Sequence, residues 1–239
     1  MIIIEKAKQS NETAKKYAYR VLKDNIVSLN LKPGEMINDM EIAAQLGISR
    51  TPVREAIIQH SNGSGIIEIF PQRGMRVAYI DLKKVYECRF LRITLEREMV
   101  RNACDLVKSE DISELRENIN LQALYFREKN FRKVLEYDNR MHRRIYEICR
   151  CEMIYNQISE SMIHYDRARN LETTISGYDR TIQDHRDLVD AIAKNDKDGA
   201  EKVIIGHLGR WMLNEKEVHE KFKSYFLKDE TEIPQFLKQ

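Results

Sequence analysis

One aspartate and three histidines in the C-terminal half of the chain have a spacing that could bind a metal ion. Asp138 and His142 are four residues apart, so they share one face of a helix. His185 and His207 fall in two further helical stretches, and side chains from separate helices can converge inside a bundle. Imidazole nitrogen and carboxylate oxygen bind divalent transition metals, and four ligands leave positions for water or a small acid. The spacing alone leaves open that these are ordinary helix residues.

The stretch "LGISRTPVREAI", residues 46–57, places a second kind of chemistry near the N-terminus. Arg50 and Arg54 are four residues apart, and the arginine fork matches the paired acceptors of guanine in the major groove. Ser49 and Thr51 can contact phosphates, as can the backbone N–H groups at the start of a helix. Each arginine taken singly is as compatible with an ordinary helix surface as with DNA, so the interpretation depends on the surrounding elements.

Two short helices joined by a glycine turn are predicted to position these side chains. The first has Asp39 as its N-cap and ends at Gly47, the usual C-terminal glycine. Ser49 is predicted to cap the second, which continues to about residue 59. With a longer helix over 13–29 before them, this order is typical of a helix-turn-helix, whose second helix enters the major groove.

The stretch "IIEIFPQRGMRVAYI", residues 66–80, is predicted to form a two-stranded wing around the turn "PQRG". Arg73 and Gly74 lie at its tip, where they would add a phosphate or minor-groove contact. A glycine turn, an arginine-bearing helix and a basic hairpin in this order indicate a DNA-binding domain more specifically than any single residue does.

From Asp81 onward the sequence is predicted to be helical almost without interruption, as an antiparallel bundle of about six helices. The spacing of apolar residues predicts helices over approximately 81–105, 110–128, 131–149, 152–170, 177–194 and 196–228. The fold class is therefore mainly α. We expect a winged helix-turn-helix domain at 1–80, a helical domain at 81–230 and a loose tail at 231–239.

Composition restricts the class of protein. Charged residues make up 33% and hydrophobic residues 42% of the chain, which is typical of a soluble helical protein. No run of about 18 apolar residues occurs, so no membrane span is expected. The opening "MIIIEKAKQS" lacks the pattern of a secretory signal. We therefore expect a cytoplasmic protein whose four cysteines are reduced. The net charge of +2 does not by itself indicate a nucleic-acid partner.

Residues 13–80 resemble the winged helix-turn-helix of the GntR family of bacterial transcription regulators. The pieces "LKPGE", "LGISRTPVREA" and "PQRGMRV" follow that family's order and approximate spacing. The resemblance implies operator contacts from Arg50, Thr51, Arg54, Arg73 and Gly74, with Ser49 as a weaker candidate. Two features depart from the family pattern. His60 stands where an apolar residue is usual, so we expect it to be partly exposed. The link "SNGSG" into the wing is about one residue longer than the usual one.

Residues 81–223 resemble the all-helical ligand-sensing domain called FCD, which typifies the FadR branch of the GntR family. The matching pieces are "DNRMHRRIYEI", "DHRDLVDAIAKND" and "AEKVIIGHL". The resemblance implies that Asp138, His142, His185 and His207 bind a divalent metal such as Zn, Ni, Mn or Fe. Asp184 replaces the glutamate that usually precedes the second histidine.

The same resemblance implies an arginine facing the ligand pocket from the first helix of the domain. Arg89 and Arg92 are the candidates, and the sequence does not decide between them. A guanidinium there would clamp a carboxylate with two hydrogen bonds. His164, on an intervening helix, is a third candidate for the pocket, and an ordinary helix position explains it equally well.

The leading hypothesis is a ligand-responsive transcription regulator and not an enzyme. It would bind a pseudo-palindromic double-stranded operator as a homodimer, because one winged helix covers one half-site. A small carboxylate effector at the metal would then change DNA affinity. Two alternatives stay open: a metal-dependent enzyme, against which no positioned general base is found, and a DNA binder whose metal is purely structural. The identities of effector, operator and metal, and the sign of regulation, also stay open.

Overall fold

Residues 7–228 and 232–238 are described by the structure, a computed structural model. Over these residues the chain divides into two compact units. The first comprises residues 7–82 together with 222–228, and the second comprises 83–221 together with 232–238. The predicted fold class, mainly α with a winged helix-turn-helix followed by a helical bundle, is confirmed.

The first unit combines three helices with a small three-stranded sheet. In chain order its elements are α1 (Ala14–Val27), β1 (Met36–Ile37), α2 (Asp39–Leu46), α3 (Arg50–Asn62), β2 (Ile67–Phe70) and β3 (Gly74–Val77). The Thr13 side chain caps α1 by accepting a hydrogen bond from the backbone N–H of Lys16. Val21, Leu22 and Ile26 form a buried apolar stripe on α1, which packs against α3.

Two local predictions in this unit are wrong in detail. The cap of α2 is Asn38, whose side chain accepts from the backbone N–H of Met40 at 2.9 Å, and Asp39 is instead the first helical residue. His60 is fully buried and not partly exposed, because its ring stacks on Tyr19 with centroids 3.8 Å apart. His60 thus occupies a position that is usually apolar, because the face of its ring packs against Tyr19 in the core.

The wing has one more strand than predicted. The sheet order is β1-β3-β2, all antiparallel, and β1 pairs Met36 with Arg76 and Ile37 with Met75. A strand of two residues has too few positions to show alternation, so the sequence gives no signal for it. The additional strand, β1, pairs with β3 on the side opposite β2. This pairing anchors the β2–β3 hairpin and fixes where its tip at Arg73 lies within this unit.

Gly34, in the turn before β1, is required by its backbone conformation. Its φ is +83°, and a Cβ added there would lie 2.8 Å from the ring of Tyr79. We expect Gly34→Ala to lower the free energy of unfolding by about 1–3 kcal/mol, because both the left-handed φ and the ring oppose a side chain.

The matched control for this substitution is Gly206→Ala, at a helical position where an added Cβ meets nothing within 4 Å. It should stabilise the chain by about 0.5–1 kcal/mol, since alanine favours helix over glycine. Urea denaturation of the two variants measures the difference. Equal stabilities would contradict the assigned turn geometry.

The second unit contains eight α-helices over its described residues. They are α4 (Leu82–Leu106), α5 (Ser109–Arg127), α6 (Phe131–Ile148), α7 (Glu152–Ser161), α8 (Ile163–Ser176), α9 (Asp179–Ala193), α10 (Lys197–Gly209) and α11 (Trp211–Lys221). α5 packs against α6 and α9, and α9 packs against α10. These contacts gather the helices that carry the predicted metal ligands.

Six predicted helices become eight because two of them are interrupted. The interruptions fall at Met162, between α7 and α8, and at Arg210, between α10 and α11. Both residues keep right-handed helical dihedrals, and no proline marks either position. The apolar spacing therefore continues across each break, and the sequence pattern does not reveal it.

The C-terminal residues predicted to be loose are partly packed. Residues 235–238 form a short 3-10 helix, in which Leu237 is buried and Phe236 meets Phe90 edge-to-face at 5.6 Å. The guanidinium of Arg89 donates a hydrogen bond of 2.6 Å to the carbonyl oxygen of Leu237. Residues 231 and 239 of the predicted tail lie outside the described residues.

Candidate metal centre and nucleic-acid interface

Four side chains from three helices converge in the second unit. Asp138 and His142 come from α6, His185 from α9 and His207 from α10, and one ligand atom of each lies within 4.8 Å of the other three. Nε2 of His185 is 3.3 Å from Nε2 of His207 and 3.6 Å from Oδ1 of Asp138. All four side chains are less than a tenth exposed. The predicted quartet is therefore one cluster.

Each histidine of the cluster has an acidic or amide partner on its outer side. Nδ1 of His142 lies 2.6 Å from Glu96, and Nδ1 of His185 lies 2.8 Å from the side-chain oxygen of Gln122. Nδ1 of His207 lies 3.5 Å from Asp184. The oxygen acceptors within hydrogen-bond distance place the Nδ1 proton of His142 and of His185 and direct their Nε2 lone pairs to the centre of the cluster. Nδ1 of His207 has no hydrogen-bond partner among the described residues.

The donor set fits a divalent transition metal. Nε2 of His142 is fully buried and has no hydrogen-bond partner, as expected for a lone pair that awaits a cation. Burial lowers the pKa of His207 to about 4 and that of His185 well below its usual range, so both rings stay neutral and able to coordinate. Three imidazole nitrogens and one carboxylate oxygen form a ligand set typical of Zn, Ni, Mn or Fe.

Asp138 has two further partners that the sequence analysis did not identify. Arg169 on α8 forms an ion pair with Oδ2, and the hydroxyl of Tyr178 donates to Oδ1 at 2.5 Å. Burial alone would raise the pKa of Asp138, but Arg169 and the three histidines outweigh it and hold this pKa well below its usual range. The carboxylate is therefore charged, as a metal ligand must be.

A cavity lies beside His207 and is lined mainly by cationic and hydroxyl side chains. Arg169, Arg180 and Arg210 are among its lining residues. Glu172 is the carboxyl group among them, and burial raises its pKa above the usual range. Arg169 pairs with Asp138, and Arg180 and Arg210 both pair with Asp184. An anionic occupant of the cavity would therefore share guanidinium groups that already have carboxylate partners.

Arg89, Arg92 and His164, the residues predicted for the ligand pocket, all lie outside the lining of this cavity. Arg89 is engaged with the Leu237 carbonyl. Arg92 is fully buried, and its Nε donates to Glu96 at 2.6 Å while Nη1 and Nη2 have no hydrogen-bond partner. His164 is buried, and burial together with Arg167 lowers its pKa to about 3. Of the three, Arg92 is linked to the metal cluster, through Glu96.

The residues predicted to contact DNA are all exposed in the first unit. They are Ser49, Arg50, Thr51 and Arg54 around the first turn of α3, and Arg73 and Gly74 at the wing tip. Arg50 donates from Nε to the buried carboxylate of Asp39 at 2.8 Å, and Asp39 thereby fixes the direction of the guanidinium. An oriented arginine at the start of an exposed helix is suited to reading base edges.

Two family models match the chain. The model described as "Bacterial regulatory proteins, gntR family" matches residues 14–77, and the FCD domain model matches residues 86–210, more than half of the chain. The chain belongs to the GntR family and contains an FCD domain. This GntR-family protein is therefore a transcription regulator and not an enzyme, so the metalloenzyme alternative is set aside.

Curated relatives of this regulator match over most of its length. The HTH-type transcriptional repressor RspR of Escherichia coli is 26% identical over 209 residues, which cover 87% of this chain and 91% of RspR. A transcriptional regulator of Streptomyces ambofaciens is 26% identical over 204 residues, covering 84% of this chain and 85% of that protein. Both relatives are described as regulators of transcription.

Solved structures support the fold. Escherichia coli McbR/YncC aligns with a TM-score of 0.75 at 19% identity and covers 88% of this chain and 99% of that one. A GntR regulator from Rhodococcus aligns with a TM-score of 0.68 at 18% identity, covering 88% and 98%. Among the described residues of this regulator, no helix has the length and apolar character needed to cross a membrane.

Proposed function

We propose that this GntR-family regulator binds a pseudo-palindromic operator as a homodimer and that a small carboxylate, bound at a divalent metal, changes its affinity for DNA. The observation that carries the proposal is the convergence of three imidazole Nε2 atoms and one carboxylate beside a cavity with three arginines. The DNA contacts would come from Ser49, Arg50, Thr51, Arg54, Arg73 and Gly74. The metal ligands would be Asp138, His142, His185 and His207.

When bound, the metal supplies a Lewis-acid position that accepts a carboxylate oxygen of the effector. The chain's own residues orient and select that effector. Arg169 is held by Asp138 and Asp166, so its guanidinium is fixed at the cavity wall. Arg92 offers two buried, unpartnered nitrogens in the neighbourhood of the cluster, which would favour it over Arg89 as the predicted carboxylate clamp.

Regulation requires two conformations of the protein that differ in their affinity for DNA, and an effector that binds one of them better than the other. An effector with equal affinity for both would leave the equilibrium between them unchanged. The effector binds inside the helical unit, so its binding free energy must be converted into a change of operator affinity. RspR is named a repressor, and the same sign of regulation is the first to test in this chain.

The experiment combines metal analysis with a ligand panel. Elemental analysis of the purified protein should find about one divalent transition metal per chain. Sugar acids, dicarboxylates and amino acids are then screened for a shift of the thermal midpoint, since a ligand at 100 times its Kd stabilises the folded state by about 2.7 kcal/mol. Acids that stabilise the protein should also change its affinity for an operator selected from random DNA. Metal without any responsive acid would indicate a purely structural ion.

A further inference from the structure

A buried ion pair on α4 lies directly behind the metal cluster. Nε of Arg92 donates to Oε1 of Glu96 at 2.6 Å, one helical turn away, and the two side chains are 1% and 3% exposed. The guanidinium also lies over the ring of Tyr165 at 5.4 Å. Burying two charges is costly, and apolar residues of similar volume often replace such a pair without loss of stability. The pair therefore calls for a role other than stability.

The carboxylate of Glu96 bridges the arginine and a predicted metal ligand. Its second oxygen, Oε2, lies 2.6 Å from Nδ1 of His142. One carboxylate thus holds Arg92 through one oxygen and the imidazole through the other. The remaining nitrogen of that ring, Nε2, is the buried one without a hydrogen-bond partner. A carboxylate on Nδ1 fixes both the tautomer and the ring direction of a metal-binding histidine.

We propose that Glu96, held in place by Arg92, is a positioning residue that aims His142 at the metal. The inference rests on the proposed function, since it presupposes that the cluster binds a cation. It extends the metal site to α4, a helix that contributes no ligand. Arg92 hydrogen-bonds to Glu96 and, among the described residues, to none of the four ligand side chains, so its positioning of His142 runs through Glu96. Its buried charge also acts electrostatically on His142 and His207.

The first test measures the affinity of the full chain for Zn²⁺ alone, by competition with a fluorescent chelator after metal removal. We expect Glu96→Gln to weaken binding by roughly 10–100-fold, the usual cost of losing an outer-sphere carboxylate. Glu87→Gln is the control, because it makes the same change at an exposed position of the same helix. Its affinity should match that of the parent protein.

Binding of Co²⁺ in place of Zn²⁺ gives a second measurement, the visible spectrum of the bound ion. This spectrum would not change if Glu96 only stabilised the fold. The visible absorption of bound Co²⁺ reports ligand geometry, so the bands of Glu96→Gln should shift while those of Glu87→Gln stay unchanged. Far-UV circular dichroism establishes that each variant is folded. Parent-like zinc affinity together with a parent-like cobalt spectrum in folded Glu96→Gln would overturn the proposal.

A double-mutant cycle tests the role of Arg92. Arg92→Lys keeps the charge but loses the fork that holds Glu96, so zinc binding should weaken by several-fold. In the Arg92→Lys/Glu96→Gln double variant, the loss should equal that of Glu96→Gln alone, since both act through one contact. Additive losses would contradict the assigned order. If the parent protein itself binds no Zn²⁺, the proposed function fails, and this outcome is distinct from failure of the positioning role.

Discussion

His185→Ala is expected to weaken Zn²⁺ binding by more than about 100-fold, the upper range for losing only an outer-sphere partner of a ligand. His185 is fully buried, and its Nε2 lies between His207 and Asp138, within 3.6 Å of both. Its removal takes away a ligand at the middle of the cluster. The helix around it has no other imidazole that could replace it.

His219→Ala is the matched control for this result, because His219 lies on α11 outside the cluster. Chelator competition should give this variant the parent's zinc affinity. Thermal denaturation with and without Zn²⁺ gives a second measurement: the metal should raise the midpoint of the parent and of His219→Ala but not that of His185→Ala. A parent-like zinc affinity of His185→Ala would show that the metal binds elsewhere.

Arg54→Ala is expected to abolish discrimination between the operator and unrelated DNA. A good arginine–guanine pair contributes about 1–3 kcal/mol of specificity, and a homodimer on two half-sites would lose that amount twice. Arg54 is exposed on the face of α3 that also carries Arg50. The core of the unit is untouched, since Val53, Ala56 and Ile57 form the buried face of the helix.

Lys15→Ala serves as the charge-matched control, because it removes one exposed positive charge on α1, a helix that carries none of the predicted DNA contacts. Mobility-shift titrations on an operator selected with the parent protein, and on scrambled DNA, separate specific from non-specific affinity. Arg54→Ala should bind the two DNAs with similar affinity, while Lys15→Ala should still prefer the operator. A retained preference in Arg54→Ala would remove α3 from the role of recognition helix.

The sequence predicted the four side chains of the cluster but not the side chains that contact them. Asp138 and His142 share a helix, which makes their proximity visible as a spacing of four. Glu96 and Gln122 reach their histidines across 46 and 63 residues, and helical periodicity carries no information about such long-range pairs. Arg169 likewise reaches Asp138 from 31 residues away.

In the first unit, the sequence correctly predicted features that depend on the backbone conformation of a single residue. Gly47 ends α2 in the left-handed conformation, as its residue type predicted. Asp39 shows the limit of such rules. It has the residue type of an N-cap, but the neighbouring Asn38 takes that role and leaves the Asp39 carboxylate for Arg50. Competition between adjacent capping residues is decided by tertiary contacts that a propensity does not contain.

The placement of the cluster on α6, α9 and α10 has a consequence for unfolding. His185 and His207 lie 22 residues apart in the chain, and the four side chains come together only in the folded unit. A cation would therefore bind the folded state and leave on unfolding, and an ion at 1,000 times its Kd would stabilise the fold by about 4 kcal/mol. Scarcity of the ion would then act on the protein's lifetime as well as on its signalling, because the ion-free chain would open to proteases more often.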